Sequence, residues 1–86
     1  MKKLSFNDNK NVIHQSLRRF RELRGLSQAQ LAAKLQTMDV NIDQQMISKI
    51  ERNQRLVTDY ELACLCRILN VTEQDLLADF YASQDP

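Results

Sequence analysis

Glycine and proline are almost missing from this chain: Gly25 is the one glycine, and the one proline is Pro86. With so few breakers, hairpin turns and glycine-rich phosphate loops lack their usual signals. The two cysteines, Cys64 and Cys66, stand two positions apart in a stretch that reads as helix. Side chains at that spacing diverge by roughly 200°, which opposes both a bridge and a shared metal. They read as packed thiols of a reducing compartment. No apolar run approaches the ~18 residues of a membrane helix. Met1-Lys2-Lys3 leads into polar Asn7-Asp8-Asn9-Lys10-Asn11 rather than into an apolar leader core. A cytoplasmic protein, off the membrane, is expected. The single histidine, His14, has no Cys or Ser near it by spacing, and neither a zinc nor a nucleotide motif is present. The expectation is therefore no enzyme, no metal, no cofactor and no small-molecule ligand.

What remains is a helical alphabet. Leu, Ala, Gln, Arg, Lys and Glu dominate, and 86 residues suffice for one small domain. A chain of that size buries only ~60 to 65% of its unfolded surface, too little for a multilayer enzyme. Residues 1–9 show no period and read as a flexible basic arm; a domain over 10–81 and a disordered tail over 82–86 follow. Ile13, Leu17, Phe20 and Leu23 or Arg24 fall three to four apart and predict a first helix over about 10–24, closed by Gly25. Ser27 with Gln30 is a capping-box pattern that opens a second helix to about residue 36 or 37, with Leu31, Ala32 and Leu35 inward. Thr37 to Ile42 is β-branched and polar and reads as a turn. Asp43 suits the cap of a third helix, about 44–53, that buries Ile47 and Ile50. Thr58 with Glu61 opens a fourth over about 59–69, with Tyr60 packed at its start. Thr72 with Asp75 opens a fifth over about 73–81. The fold class is all-α, five helices around one core.

Charge is divided along the chain. Residues 1–55 carry eleven Lys or Arg against five acids, a balance of +6, and residues 56–86 carry Arg67 against six acids, a balance of −5. A basic region containing paired glutamines at a helix start suits phosphate contact combined with hydrogen bonding to base edges. Charge runs also serve as plain solvated faces, and glutamine pairs as plain helix surface.

The ordered set Leu17, Arg21, Leu26-Ser27-Gln28, Leu31-Ala32, Leu35, Ile47-Ser48-Lys49-Ile50-Glu51-Arg52, Arg55, Leu62, Leu65, Leu69-Asn70-Val71 and Asp75-Leu76-Leu77 resembles the phage repressor and Cro type of helix-turn-helix, the Xre family. The resemblance covers about residues 12–78. It implies a five-helix, lambda repressor-like domain whose second and third helices form the motif, a DNA-binding transcription regulator and repressor. By the same resemblance Gln44 and Gln45 read bases, Gln28 meets the DNA backbone, and Arg21 pairs with Glu51 to hold the third helix. By position, Ser48 and Lys49, one turn past the glutamines, are candidates to read a base or meet a flanking phosphate, and Arg52, Asn53 and Arg55, after the third helix, are candidates for the DNA backbone. Lys2, Lys3 and Lys10 are candidates for sequence-independent affinity from the arm, although mobile basic N-termini are common. Two departures stand out. Eleven residues separate Leu35 from Ile47, several more than the family commonly has. Five extra residues inside a helix would rotate its face by ~500°, so the addition belongs in 37–42. Asn53 stands where the family usually has glycine, a place asparagine tolerates.

Double-stranded DNA is thus the expected partner. A homodimer is expected because one short helix reads only ~4 to 5 base pairs, with Leu77, Phe80 and Tyr81 as the candidate dimer surface. The alternative is a protein-interaction or antitoxin-like module that keeps the fold and acts through its acidic last helices.

Overall fold

Four helix starts in this chain are closed by side chains of the first turn. The computed structural model describes Phe6 and residues 8–84. Its helices are α1 (His14–Leu23), α2 (Gln28–Thr37), α3 (Gln44–Glu51), α4 (Asp59–Leu69), α5 (Glu73–Leu76) and α6 (Ala78–Gln84). The three expected capping boxes all form, on Ser27 and Gln30, Thr58 and Glu61, and Thr72 and Asp75. A fourth closes on Asp43, whose carboxylate accepts from the Met46 amide at 2.8 Å while the Asp43 amide meets the Met46 thioether. Sulfur is a weak acceptor, which is why the sequence does not announce this box.

Helix ends follow a second rule. Gly25, Asp39, Asn53 and Asn70 all have φ between 55° and 71°, and each follows a helix. The next residue's amide reaches back to the last turn in every case: Leu26 to Arg21, Val40 to Leu35, Gln54 to Lys49 and Val71 to Cys66. This is the Schellman arrangement. Asparagine and aspartate take the place of glycine at three of the four ends, because their short polar side chains tolerate the left-handed region best.

The fold is all-helical, with the last of the five expected helices divided in two at Leu77. α3 stops at Glu51, short of the expected residue 53, and three further boundaries differ from expectation. α1 starts at His14 rather than near residue 10, because the Asn11 side chain is committed elsewhere: it accepts from the Ile13 amide and donates to the Ile50 and Arg55 carbonyls. Helical structure runs on through Gln84, inside the expected tail. Phe6 and Asn9 of the expected arm bond each other's backbones, and Phe6 sits edge-on to Phe80 at 5.3 Å. Lys2 and Lys3 lie outside the described residues.

The core joins Ile13, Leu17, Leu31, Leu35, Ile47, Ile50, Leu65, Leu69 and Leu76. Two corrections concern its edges. Leu23 is 68% and Tyr60 59% exposed, so the α1 stripe stops at Phe20 and Tyr60 does not pack at the start of α4. Conversely, Val40 and Ile42 of the turn are buried, Ile42 completely. Val40 and Ile42 turn inward and Asp39 and Asn41 outward, with the Ile42 amide on the Val40 carbonyl at 2.9 Å, so the segment is a tight turn pinned to the core. Cys66 is buried and Cys64 half-buried, both as free thiols. Burial, with Glu73 and Asp75 nearby, pushes the Cys66 thiol up to about 11, so it is a protonated packing group at neutral pH.

If the turn is anchored in this way, Ile42→Ala lowers unfolding stability by about 2–5 kcal/mol, as truncation of a fully buried isoleucine does. Urea denaturation measures it. A change within 0.5 kcal/mol, typical of surface loops, would show that the anchor is not real.

Candidate nucleic-acid interface

An eight-residue helix can present one face only if the opposite face is held. In α3 that hold is Ile47 and Ile50, both fully buried, together with Glu51 at its last position. Glu51 takes two hydrogen bonds from Arg21 of α1, Nε to Oε2 at 2.6 Å and Nη2 to Oε1 at 3.0 Å. The two side chains are 10% and 4% exposed. The third guanidinium nitrogen, Nη1, donates to the Leu26 carbonyl at 2.7 Å, in the turn before α2. Gln28, at the start of α2, donates its amide to Glu51 Oε1 at 3.1 Å. Hydrogen bonding to Glu51 raises the Arg21 pKa against the opposing effect of burial. One guanidinium therefore fixes three elements together, in the roles expected for Arg21 and Glu51.

The outward half of α3 carries Gln44, Gln45, Ser48 and Lys49, which one-hundred-degree steps place within roughly 140° of arc. Gln44, Gln45 and Lys49 are exposed and Ser48 is half-buried. Among the described residues, Gln44, Gln45 and Lys49 make no side-chain hydrogen bond, so their polar groups are available to a ligand. Gln28 is half-buried beside this face. With Ser27 capping the Gln30 amide, the backbone N–H groups of Gln28 and Ala29 are left open at the α2 start.

The remaining expected backbone contacts divide. Arg52 is exposed, and one of its donors returns to the Ser48 carbonyl at 3.3 Å. Asn53 is half-buried and occupied: Oδ1 accepts from the Lys10 and Asn11 amides at 2.8 and 3.3 Å, and Nδ2 donates to Asn9 Oδ1 at 2.7 Å. Arg55 grips Glu61 with two bonds of 2.9 and 3.0 Å and donates to the Leu56 carbonyl. Glu61 is buried, and burial alone would raise its pKa. Hydrogen bonds from Arg55 and from the Thr58 amide, with the Arg55 charge, outweigh that and hold it below the usual carboxylate range.

Three supporting residues were not read from the sequence. Asn11 bonds the last turn of α3. Arg24 caps the end of α4 through the Leu69 carbonyl at 2.7 Å and the Asn70 carbonyl at 3.3 Å. Glu61 does more than close its capping box. For Glu61 a signal exists: it falls four and eight residues before the buried Leu65 and Leu69, on the inward stripe of α4. Asn11 and Arg24 carry no such signal, because their partners are 39 to 46 positions away.

Removing one partner of the buried pair leaves the other charge stranded, so Glu51→Ala lowers stability by about 3–5 kcal/mol in urea denaturation. A loss below 1 kcal/mol would place the pair in solvent. The Arg55–Glu61 pair gives a pH test. A carboxylate whose folded pKa is depressed contributes stability above its unfolded pKa and loses it as pH falls through the folded one. The stability gap between the protein and Glu61→Gln is therefore full at pH 7 and shrinks as acid is added. A gap that stays constant down to about pH 3 would contradict the depressed pKa.

The helix-turn-helix family profile matches residues 17–76, from the middle of α1 to the end of α5. The crystal structure of the clp gene regulator ClgR from C. glutamicum superposes with a TM-score of 0.72 at 24% identity. It covers 88% of this chain and 92% of that one, a likeness of fold. No curated relative matches the chain. With the profile spanning most of the sequence, and Arg21, Glu51, α2 and α3 in place, the chain belongs to the helix-turn-helix family, in its phage repressor and Xre branch of DNA-binding transcription regulators.

Proposed function

We propose that the protein is a sequence-specific repressor that binds operator DNA as a homodimer, with α3 inserted in the major groove. The observation that carries this reading is the free polar face of α3 on a helix held from behind by Ile47, Ile50 and Glu51. A glutamine amide is a matched donor and acceptor for adenine N6 and N7, and Gln44 and Gln45 stand where a docked helix first meets base edges. Ser48 and Lys49, one turn on, reach a base or a flanking phosphate. The open Gln28 and Ala29 amides at the start of α2, with the Gln28 side chain, suit a phosphate oxygen, and Arg52 suits a second one. Asn53 and Arg55 serve this surface from behind, since internal partners hold both side chains.

Two-fold pairing supplies the second half-site. Leu77, Phe80 and Tyr81, with Phe6 edge-on to Phe80, form an apolar patch at the end of the molecule, with Tyr81 49% exposed. Where the operator overlaps a promoter, a domain that fills the major groove excludes other proteins there, and repression follows from binding.

The test begins with an operator selected from random duplexes at low salt. Gln44→Ala and Gln45→Ala are each expected to reduce discrimination against mismatched sites by about 1–3 kcal/mol, at unchanged melting temperature. Affinity falls linearly on a log–log salt plot. If both variants discriminate as well as the parent, α3 is not the reader. If the parent retains no duplex even at low salt, the protein-interaction reading replaces this one.

A further inference from the structure

Asn53 follows α3 with φ 61°, a conformation that glycine meets without strain, yet the residue there is an amide whose side chain makes three hydrogen bonds. Both lone-pair sites of Oδ1 are taken by the Lys10 and Asn11 backbone amides, and Nδ2 is on Asn9. Asn11, itself buried, extends the same contact by donating to Ile50 O at 3.0 Å and Arg55 O at 2.9 Å. Residues 9–11 are thus laid across the C-terminal end of α3 by five side-chain hydrogen bonds to Ile50, Asn53 and Arg55. Lys10, in the middle of this segment, is exposed and forms no ion pair among the described residues. Its backbone amide bonds Asn53, the residue that follows the exposed Arg52.

We infer that Asn53 is a positioning residue that clamps residues 9–11 to the end of α3, so that the Lys10 ammonium, and not the Asn53 amide, takes a DNA phosphate. The inference rests on the DNA-binding reading above. Its chemistry follows from what each group has left. The Asn53 amide retains a single unused N–H, while Lys10 offers a full charge with three donors. A lysine on loose chain would lose conformational freedom on meeting a phosphate; one on a pinned backbone loses less. Placement at the C-terminal end of a helix is also favourable for a cation without any DNA, so position alone does not separate the two roles. Salt dependence does.

The experiment compares the full chain with Asn53→Gly, Lys10→Ala and the double variant on the selected duplex, from low to moderate salt. Glycine keeps the left-handed backbone and removes only the amide. Amide exchange at Lys10 and Asn11 is expected to speed up in Asn53→Gly, with α3 unaffected. The slope of log affinity against log salt is expected to drop by about 0.9 per bound chain in Lys10→Ala. Asn53→Gly should lower it in the same direction, and the double variant should match Lys10→Ala alone. A weaker affinity with unchanged slope in Asn53→Gly would mean that the amide itself touches DNA, overturning the inference. Additive losses in the double variant, or a slope that neither substitution moves, would overturn it equally. A parent chain that binds no duplex would instead sink the DNA reading, and that result is distinct from all of these.

Discussion

The Arg21 guanidinium is the joint on which the rest of this molecule depends. It binds Glu51 of α3 with two nitrogens and the carbonyl before α2 with the third, while Gln28 of α2 closes on the same carboxylate. Taking an ion pair out of water costs several kcal/mol per charge, and the attraction repays this only when the remaining donors and acceptors are satisfied. Here they are: among the described residues no buried side-chain polar atom lacks a partner. Apolar packing of Ile47 and Ile50 would hold α3 against the core at several angles. A planar fork with three fixed acceptors admits one, which makes directionality the contribution of this pair.

The same economy changes how the basic half of the chain should be read. Arg21, Arg24 and Arg55 all count toward the balance of +6 over residues 1–55, but each is engaged by internal carbonyls or carboxylates. Arg18 and Arg19 face Glu22 and Asp79 across exposed pairs of 3.3 and 3.7 Å, the weakly held kind. That leaves Lys10, Arg24, Lys34, Lys49 and Arg52 as the exposed cations of residues 1–55 without an internal carboxylate among the described residues. Glu51 and Glu22 are already counted among the five acids, and carbonyls carry no net charge, so only Glu61 and Asp79, drawn from the acidic stretch, lower the local balance around this region. In the proposed reading, recognition falls to the neutral amides of α3 and affinity to a few local cations.

Local chemistry was legible in the sequence, and distant chemistry was not. Ser27, Thr58 and Thr72 announced their helices because the partner of a cap is three residues away, and Leu17, Leu31, Leu35, Ile47, Ile50 and Leu65 announced the core through period. Arg21 with Glu51 was visible only by resemblance to a family, since nothing local connects positions thirty residues apart. Leu23 and Tyr60 misled because a stripe predicts which face of a helix turns inward, not where its neighbours run out. The partners of Arg55 and Asn53 were hidden for the same reason. Polar residues after α3 suit phosphate, and only the fold reveals that Glu61 and residues 9–11 already occupy them.

The longer turn between α2 and α3 follows the same logic from the apolar side. An insertion between two helices ordinarily adds conformations, and each unrestrained residue there would cost about 1–2 kcal/mol to order. The left-handed Asp39 directs the chain back from α2, and Val40 and Ile42 then enter the core on alternate positions. Asp43 caps α3 immediately afterwards. The residue that fixes the turn therefore adjoins the one that starts the helix, leaving no slack between them. With Ile42 before its first turn and Glu51 at its last, α3 is held at both ends, so the added residues act as a spacer rather than a hinge.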